Sequence, residues 1–448
     1  MNFQQEKIGH GLKYYVKTYG CQSNVRDTEE ISGILEVLGF KPAGDLLTAD
    51  LVILNTCAVR ENAEKKVFGE IGYLKHIKLK NPKFLFGVCG CMIQEPEVVN
   101  KIINDIEHVD FAFGTHNIHM LPEILKQVIT SNQQVIHVFK DNAGIVEDIP
   151  TTRTSSVKAF INIMYGCNNF CSYCIVPFTR GRTRSRNKLA ILGEIKDLMK
   201  HGYKEITLLG QNVNDFGIDQ PNLEYRFWNL LEDVAKTGIE RVRFATSNPW
   251  NFDYKIIDVM RKYKNIMPYI HLPVQSGDET ILRKMKRQMK IADYIELIKY
   301  IRMNIKDCAI STDLIVGFPN ETDKQFANTI KLYNKVKFDN AYTFIYSKRK
   351  GTVAATLIDK TPMIKKEKRL AQLNELVRKY AKSRCEHWTN KTVEVLVEGA
   401  SKTKKHILTG YSRQWKIVNF VGTAKVGDIV KVKITSASRF SLNGEQVK

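Results

Sequence analysis

No apolar run in this 448-residue sequence approaches the roughly 20 residues that a membrane-spanning helix needs. The polar start MNFQQEKIGHG also lacks the apolar core of a signal peptide, and no repeat of the solenoid or propeller kind is present. The first two absences predict a cytoplasmic protein that is not inserted in a membrane. Hydrophobic residues at 43% and charged residues at 26% exclude a globally disordered chain.

Acidic residues are scarce relative to basic ones. The 47 Asp and Glu residues stand against 68 Lys and Arg residues, which gives a formal net charge of +21. Such an excess favours a polyanionic partner, with nucleic acid ahead of an anionic membrane surface. A generally lysine-rich proteome would produce the same balance, so the charge alone does not decide between these readings.

Cysteine is limited to nine residues, which a cytoplasmic chain keeps as reduced thiols. A disulfide framework is therefore disfavoured, and ligation of a metal ion or an iron–sulfur cluster is the favoured use of grouped cysteines. Cys308 and Cys385 lack partners in the sequence and are predicted to be structural.

Strand-like and helix-like segments alternate through most of the chain, which predicts an α/β fold class with three domains. From residue 13 to 130 the alternation predicts an open parallel α/β sheet, and the polar stretch 131–156 is typical of a linker. Six further strand–helix units within 153–384 predict a partial or full β/α barrel. Short alternating strands over 387–448 predict a small β-barrel.

Three cysteines, here called the loop trio, share the segment MYGCNNFCSYC: Cys167, Cys171 and Cys174. Their C-x3-C-x2-C spacing can hold three irons of a 4Fe–4S cluster. The fourth iron would then be open to the amino and carboxylate groups of S-adenosylmethionine. The alternatives are a tetrahedral zinc site, for which the next histidine, His201, lies beyond a predicted helix, and buried structural cysteines.

Three other cysteines, here called the strand-end trio, each follow a predicted parallel strand. Cys21 ends YYVKTYGC, Cys57 ends LVILNTC and Cys91 follows FLFGVCG. Because the carboxyl ends of parallel strands meet at one edge of a sheet, we expect these thiols to converge and hold a second cluster. Buried structural cysteine is the alternative. Cys89 competes with Cys91 for the third position, since it lies at the end of the same strand.

Small and amide residues follow the predicted strands of the β/α barrel, where barrel enzymes place their sites. Glycines there let the backbone approach a ligand, and amide side chains can bind ribose or methionine groups. Ordinary βα turns would carry the same residues. The candidate S-adenosylmethionine contacts are Gly210, Gln211, Asn212, Ser247, Gln275, Ser276 and Gly317.

Two basic segments are candidates for RNA contact. The stretch FTRGRTRSRNK follows the loop trio and contains no acid, and residues 391–448 carry 11 Lys or Arg against 4 Asp or Glu, a net charge of +7. Basic side chains bind phosphates, and aromatic ones stack on bases. A solvated basic loop and aromatic core residues are the alternatives. The candidate RNA contacts are Arg180, Arg182, Arg184, Arg186, Arg413, Trp415 and Lys416.

Several motifs resemble a known family. The C-x3-C-x2-C spacing is similar to that of the radical S-adenosylmethionine superfamily. The segments TYGCQSN, NTCAVRE, GCM, GRTRSR, HLPVQSG and DLIVGFP resemble the MiaB-type tRNA methylthiotransferases over nearly the whole chain. The resemblance implies an N-terminal methylthiotransferase domain, a radical S-adenosylmethionine domain and a C-terminal RNA-binding TRAM domain with an OB-like barrel.

The resemblance also implies an activity, the conversion of N6-(dimethylallyl)adenosine beside the tRNA anticodon to its 2-methylthio form. A 4Fe–4S cluster on the loop trio would generate a 5′-deoxyadenosyl radical from S-adenosylmethionine. A second S-adenosylmethionine would methylate a sulfur at the 4Fe–4S cluster of the strand-end trio. An electron donor such as a flavodoxin or ferredoxin would be needed, and we expect a monomer that binds the anticodon stem-loop.

Two alternatives remain open. The same chemistry could act on threonylcarbamoyl adenosine in tRNA or on an aspartate of a ribosomal protein, although NTCAVRE is similar to the enzymes of the dimethylallyl substrate. A non-catalytic iron–sulfur protein that binds RNA or acts as a sensor would need neither an open iron nor an S-adenosylmethionine site.

Overall fold

The computed structural model describes residues 7–58, 61–139, 144–220, 224–401 and 406–447. Val59 and Arg60 of the NTCAVRE segment, and residues 140–143 of the predicted linker, lie outside these ranges. The chain forms two units. The first comprises residues up to Thr154 together with 164–169 and 174–186, and the second comprises 155–163, 170–173 and the residues from Asn187 onward. Within the described residues, no helix combines the length and the apolarity that crossing a membrane requires.

Strands and helices alternate along the chain as the sequence pattern predicts. The strands are β1 (Lys13–Thr18), β2 (Lys41–Pro42), β3 (Leu51–Thr56), β4 (Leu85–Gly90), β5 (Phe111–Phe113), β6 (Val135–His137), β7 (Lys158–Asn162), β8 (Met164–Tyr165), β9 (Arg184–Ser185), β10 (Glu205–Leu209), β11 (Arg241–Phe244), β12 (Tyr269–His271), β13 (Ala309–Val316), β14 (Asn340–Ile345), β15 (Thr392–Ala400), β16 (Leu408–Ser412), β17 (Ile417–Val421), β18 (Ile429–Ala437) and β19 (Ser441–Gln446). The helices are α1 (Gln22–Val37), α2 (Glu61–Lys80), α3 (Pro96–Asp105), α4 (Leu121–Ser131), α5 (Val176–Thr179), α6 (Lys188–Lys200), α7 (Phe227–Lys236), α8 (Lys255–Lys262), α9 (Glu279–Lys284), α10 (Ile291–Asn304), α11 (Asp323–Val336) and α12 (Met363–Glu386).

The first unit is built on a parallel sheet in the order β2-β1-β3-β4-β5-β6. Strand β1 pairs with β2 on one side and with β3 on the other, and both pairings are parallel. The chain therefore changes direction across the sheet between β1 and β3. In open α/β sheets such a switch point is where ligands bind, outside the carboxyl ends of the strands. The predicted open parallel sheet is confirmed.

Helices cover both faces of this sheet. Along β3, Leu51 and Ile53 pack with residues of α1 and α4 on one face, while Val52 and Leu54 pack with residues of α2 and α3 on the other. All four side chains are fully buried. A strand that is buried on both faces needs apolar residues at every position, which explains the continuous run LVIL.

The end of the predicted linker packs against α1. The carboxylate of Glu29 accepts hydrogen bonds from the N–H and the hydroxyl of Thr154 at 3.0 and 2.9 Å, and it pairs with Arg153 at 3.0 Å. A Cβ on Gly33 would lie 2.3 Å from the backbone of Pro150. Residues 150–154 therefore belong to the folded first unit, because the side chains of α1 bind them directly.

Six parallel strands form the β/α barrel of the second unit. One sheet has the order β11-β10-β7 and the other has the order β12-β13-β14. They meet where the N–H of Met267 donates to the carbonyl oxygen of Val242 at 2.9 Å, and the N–H of Ser247 to that of His271 at 3.0 Å. Among the described residues β7 and β14 are edge strands, so the barrel is partial, one of the two predicted forms.

The last five strands close a small barrel in the order β15-β16-β17-β19-β18. Its interior holds Val395, Val418, Phe420, Ile434 and Leu442, each at most 1% exposed. Closure pairs each of the five described strands on both sides, so these strands leave no open sheet edge. The predicted small β-barrel is confirmed.

Candidate active site

The strand-end trio lies at the carboxyl ends of neighbouring strands. Cys21 follows β1, Cys57 follows β3 and Cys91 follows β4. Because β1, β3 and β4 are adjacent in the sheet, the three cysteines share the edge at the switch point. This is the arrangement that the strand pattern predicts.

A glycine precedes two of these cysteines in a backbone conformation that other residues rarely adopt. Gly20 has a φ of 122° and Gly90 a φ of 96°. A Cβ on Gly20 would lie 2.8 Å from Cβ of Cys57, and one on Gly90 would lie 2.5 Å from the carbonyl oxygen of Thr56. Glycine at both positions therefore allows a tight turn that brings the backbone of one strand end against the next.

The thiol of Cys91 lies close enough to those of Cys21 and Cys57 for their charges to affect its pKa. Burial raises the pKa of Cys91 to about 12; the charge of Arg180 opposes this rise, and the charges of Cys21 and Cys57 add to it. Thiols bind metals as thiolates, so ligation at this edge would require the thiol of Cys91 to lose its proton. In the described part of the chain no three His, Cys, Asp or Glu side chains already form a group that could hold a metal ion. Ligation by the strand-end trio therefore remains a prediction.

Cys89 and Cys91 occupy different surroundings. Cys89 packs in an apolar cluster with Leu51 and Phe113, where burial raises the pKa of its thiol well above the usual value. Cys91 packs instead with Ala58, the residue after Cys57. This placement favours Cys91 as the third member of the trio.

Asn24, which is not among the predicted site residues, connects two strand ends at this edge. The Nδ2 amide of Asn24 donates to the carbonyl oxygens of Tyr19 and Thr56 at 2.9 and 2.7 Å. The Nδ2 amide of Asn55 donates in turn to the carbonyl oxygen of Asn24 at 2.9 Å. Asn24 is fully buried and joins the ends of β1 and β3. Its signal in the sequence is its place in CQSN, three residues after Cys21.

The loop trio is held by backbone contacts within each unit. Cys167 and Cys174 belong to the first unit, where the N–H of Cys167 donates to the carbonyl oxygen of Gly181 at 3.0 Å. Cys171 belongs to the second unit, where the N–H of the next residue, Ser172, donates to a carbonyl oxygen just after α9 at 3.0 Å. All three thiols are partly exposed. Their joint ligation of a cluster also remains a prediction.

A buried arginine faces Cys171 in the second unit. Nη1 of Arg287 lies 3.8 Å from Sγ of Cys171, while Nη2 donates to the carbonyl oxygen of Pro273 at 2.5 Å and to Oδ1 of Asn248 at 3.3 Å. The guanidinium lies 4.4 Å from the ring centre of Trp250. Burial lowers the pKa of Arg287, but facing groups that include Cys171 raise it above the usual value. A fixed positive charge therefore lies beside Cys171 of the loop trio.

Two polar side chains after β11 have buried atoms without a hydrogen-bond partner in the described structure: Oγ of Ser247 and Nδ2 of Asn248. A buried polar atom without a hydrogen bond lowers the free energy of unfolding by about 1–3 kcal/mol. They lie at the carboxyl end of the barrel, where ligands of β/α barrels bind. The amino, carboxylate and ribose groups of S-adenosylmethionine would satisfy both atoms, so the residues present fit this cofactor.

The other predicted cofactor contacts lie in the turns after strands. Gly210, Gln211 and Asn212 follow β10, Gln275 and Ser276 follow β12, and Gly317 follows β13. The hydroxyl of Ser276 lies 3.4 Å from that of Thr329, and the N–H of Gly317 donates to the carboxylate of Glu321 at 2.8 Å. The Nδ2 amide of Asn212, by contrast, is buried without a hydrogen-bond partner in the described structure. Contact of these residues with S-adenosylmethionine remains a prediction.

The basic stretch after the loop trio is less exposed than its composition suggests. Arg186 is 7% exposed and pairs with Glu147 at 2.6 Å. Arg184 is partly buried over an aromatic ring, 5.8 Å from the ring centre, and Arg180 is 6% exposed. Arg182 has an exposed side chain. The basic pattern predicts RNA contact for all four arginines, and Arg182 is the most exposed of them.

The predicted RNA contacts of the small barrel face the β/α barrel instead. The ring of Trp415 stacks on that of Tyr269 with 5.9 Å between centres, and it lies 4.4 Å from the guanidinium of Arg243. Lys416 is 7% exposed and pairs with Asp339 at 3.1 Å. Interleaved aromatic and basic residues are typical of an RNA surface, but here the same residue types join two barrels.

Charged residues of β10 and β11 complete this junction. Arg243 donates to the carbonyl oxygens of Ser412 and Arg413 at 2.8 and 2.9 Å. Glu205 pairs with Arg243 at 3.0 Å, and Arg241 beside them is fully buried. The small barrel is thus docked at the amino end of the β/α barrel, the end that contributes stability rather than catalysis in barrels of this class.

Three regions of the chain match known domain families: residues 13–114 match the uncharacterized protein family UPF0004, 161–333 the Radical SAM superfamily and 389–447 the TRAM domain. The tRNA-2-methylthio-N(6)-dimethylallyladenosine synthase of Malacoplasma penetrans (strain HF-2) is 59% identical over 98% of this chain and 90% of its own length. The enzyme of the same name from Bacillus mycoides (strain KBAB4) is 50% identical over 98% of this chain and 87% of its own. The chain belongs to the radical S-adenosylmethionine methylthiotransferase family. The family predicted from the cysteine motifs is confirmed, and membership brings S-adenosylmethionine and iron–sulfur clusters as the cofactors of this methylthiotransferase.

Solved structures similar to this methylthiotransferase share its fold at low sequence identity. The radical S-adenosylmethionine methyltransferase TsrM from Kitasatospora setae is 13% identical, with a TM-score of 0.54 over 77% of this chain and 75% of that one. The cobalamin-dependent radical enzyme OxsB is 12% identical, with a TM-score of 0.51 over 82% of this chain and 56% of that one. At these identities the likeness concerns the fold alone.

Proposed function

We propose that this methylthiotransferase adds a methylthio group to C2 of N6-(dimethylallyl)adenosine next to the anticodon of tRNA. The observation that carries the proposal is the 59% identity, over 98% of the chain, to an enzyme named for this product. Two cysteine trios and a TRAM domain support it. The reaction needs one centre that activates S-adenosylmethionine, one that handles sulfur, and a surface for RNA.

When bound, the two iron–sulfur clusters supply the reductive cleavage of S-adenosylmethionine and the sulfur transfer that functionalising an aryl C–H bond requires. The residues of the chain supply binding and placement. The loop trio would hold one cluster and the strand-end trio the other. Ser247 and Asn248 would bind polar groups of S-adenosylmethionine. Arg287 orients Asn248 for this role, because it engages Oδ1 and so leaves the Nδ2 amide directed at the ligand.

For tRNA binding we propose exposed basic residues rather than the buried arginines. Arg182 is exposed beside the loop trio. On the small barrel, Lys431 and Lys433 are exposed at alternate positions of β18, and Arg439 and Phe440 are exposed in the turn before β19. Lysine and arginine bind phosphates, and an exposed phenylalanine can stack on an unpaired base.

The remaining assignments follow from this reaction. Cleavage of S-adenosylmethionine consumes an electron, for which a flavodoxin or ferredoxin is the proposed donor. We propose a monomer that acts in the cytoplasm, where its tRNA substrate is found. We also propose domain boundaries at 13–130, 153–384 and 387–448, and each of the three matched families falls inside one of these ranges.

Mass spectrometry of tRNA nucleosides tests the proposal. Cells that lack the gene should contain N6-(dimethylallyl)adenosine, and cells that carry it should contain the 2-methylthio form. The matched control is a complemented strain in which the loop trio is replaced by alanine, which should accumulate the unmodified precursor. A change confined to threonylcarbamoyl adenosine, or a methylthio mass shift on a ribosomal protein, would assign a different substrate. Unchanged nucleosides, with no 5′-deoxyadenosine released by the purified protein, would favour the non-catalytic alternative.

A further inference from the structure

Arg180 follows α5, and its guanidinium is enclosed by groups of the first unit. Nε donates to Sγ of Cys91 at 3.2 Å, and Nη2 donates to Oδ1 of Asn24 at 3.0 Å and to Oδ2 of Asp27 at 2.5 Å. The residue is 6% exposed. One guanidinium therefore joins a cysteine of the strand-end trio to two residues at the start of α1.

This arginine keeps its charge. Burial lowers the pKa of Arg180, but the charges of Asp27, Cys91 and Cys21 raise it well above the usual value. Asp27 is 3% exposed and forms a buried ion pair with it. A buried charge that is held by three acceptors is fixed in position, so its electric field at the Cys91 sulfur is constant.

We propose that Arg180 is a positioning residue for the second cluster: its Nε–H holds the sulfur of Cys91, and its charge makes that cluster easier to reduce. The inference rests on the proposed function, because it requires a cluster on the strand-end trio. Reduction adds one electron to the cluster, so a positive charge and a hydrogen bond at a ligating sulfur both stabilise the reduced form. The carboxylate of Asp27 acts in the opposite direction, since its negative charge partly cancels that of Arg180.

The two residues give the proposal a signature that a packing role would not produce. Removing the charge of Arg180 should lower the reduction midpoint of the cluster. Removing the charge of Asp27 should raise it, because the charge of Arg180 is then unopposed. Loss of packing alone would not shift the midpoint in opposite directions.

The test uses the full-length protein with the loop trio replaced by alanine, so that the strand-end trio alone binds iron. The midpoint is measured by redox titration followed by electron paramagnetic resonance. Arg180→Gln should lower it by at least about 59 mV, a tenfold change in a one-electron equilibrium. Asp27→Asn should raise it. The matched control is Arg182→Gln in the same loop, which should leave the midpoint unchanged because that side chain is exposed.

The proposal is overturned if the midpoint of Arg180→Gln equals that of Arg182→Gln, or if Asp27→Asn lowers the midpoint or leaves it unchanged. If Arg180→Gln binds no iron, Asp27→Asn decides alone: a higher midpoint supports the proposal, and any other result overturns it. If the loop-trio variant itself binds no iron, the strand-end cluster fails and both this inference and that part of the proposed function fall. If the cluster binds but Arg180→Gln does not change its midpoint, only this inference is overturned.

Discussion

The two cysteine trios assemble the same donor atoms by different means. The loop trio lies within one short segment, and its thiols are partly exposed. The strand-end trio is collected from the ends of β1, β3 and β4, and two of its thiols are buried. A local motif is complete wherever its loop is intact, whereas a tertiary motif exists only when the strands pair in register. A buried arginine faces one cysteine of each trio, Arg287 beside Cys171 and Arg180 beside Cys91, so a positive charge lies close to a thiol in both cases.

Replacement of the loop trio by alanine should have the largest effect. Both release of 5′-deoxyadenosine and methylthio product should be lost, because S-adenosylmethionine would no longer meet an open iron. Anaerobically reconstituted protein should fall from about eight to about four irons per chain. Iron assay and chromatography of 5′-deoxyadenosine measure this, and a variant that keeps all its iron would contradict the ligand assignment.

Replacement of the strand-end trio by alanine should separate the two sites. The variant should still release 5′-deoxyadenosine, because S-adenosylmethionine is cleaved at the loop trio. It should make no methylthio product. Nucleoside mass spectrometry and the 5′-deoxyadenosine assay on the same sample measure both outcomes. Circular dichroism serves as the folding control. A folded variant that releases no 5′-deoxyadenosine would argue against this division of labour.

A single methyl group at the strand-end site should have an intermediate effect. In Gly90→Ala the new Cβ meets the carbonyl oxygen of Thr56, so the turn before Cys91 must shift. Gly202→Ala is the matched control, because Gly202 has a φ of 83° but no atom lies within 4 Å of its added Cβ. Both residues have a positive φ, so each change costs about 1–3 kcal/mol in backbone strain. Gly90→Ala alone should also lose about half the iron, and equal iron in the two variants would show that the turn does not shape the site.

Loss of one hydroxyl at the carboxyl end of the β/α barrel should affect only the binding of S-adenosylmethionine. Ser247→Ala should weaken its binding about fivefold, which corresponds to ~1 kcal/mol for one neutral hydrogen bond. Ser311→Ala is the matched control, because the Ser311 hydroxyl already bonds to that of Tyr269 at 2.7 Å. Ser311→Ala should lower the free energy of unfolding and leave the affinity for S-adenosylmethionine unchanged. Anaerobic equilibrium dialysis measures both, and equal affinities would exclude a Ser247 contact.

Replacement of Cys89 should have the smallest effect. Cys89→Ala removes a sulfur from an apolar cluster, so we expect a loss of about 1 kcal/mol in the free energy of unfolding and full iron content. Cys91→Ala, compared in parallel, should lose the second cluster. Iron assay and denaturant unfolding measure the pair. Strong iron loss in Cys89→Ala would transfer the third ligand position from Cys91 to Cys89.

The sequence could predict both trios because the information for each is either local or periodic. The C-x3-C-x2-C spacing is complete within one loop. The strand-end trio follows from strand periodicity together with the rule that parallel strands share an edge. The three strand ends are neighbours because β3 lies between β1 and β4 in the sheet. No residue pattern in the sequence specifies this strand order.

Whether each basic residue is exposed or buried could not be predicted in the same way. Arg180 and Arg182 are two positions apart in one basic stretch, yet Arg180 is buried because of Asp27, which is 153 positions away. Trp415 likewise packs on Tyr269 of the other barrel. Exposure at these positions depends on long-range contacts, and residue type carries no signal that distinguishes a phosphate contact from a buried ion pair.

The tertiary origin of the strand-end trio also sets an order of events in the life of the protein. Since β1, β3 and β4 must pair before Cys21, Cys57 and Cys91 become neighbours, a cluster can enter this site only after the N-terminal sheet has folded. A ligand that binds the folded state alone stabilises that state by mass action. With the proposed cluster on this trio, delivery of iron would be a late step in the maturation of the first unit, and it would increase resistance to proteolysis there.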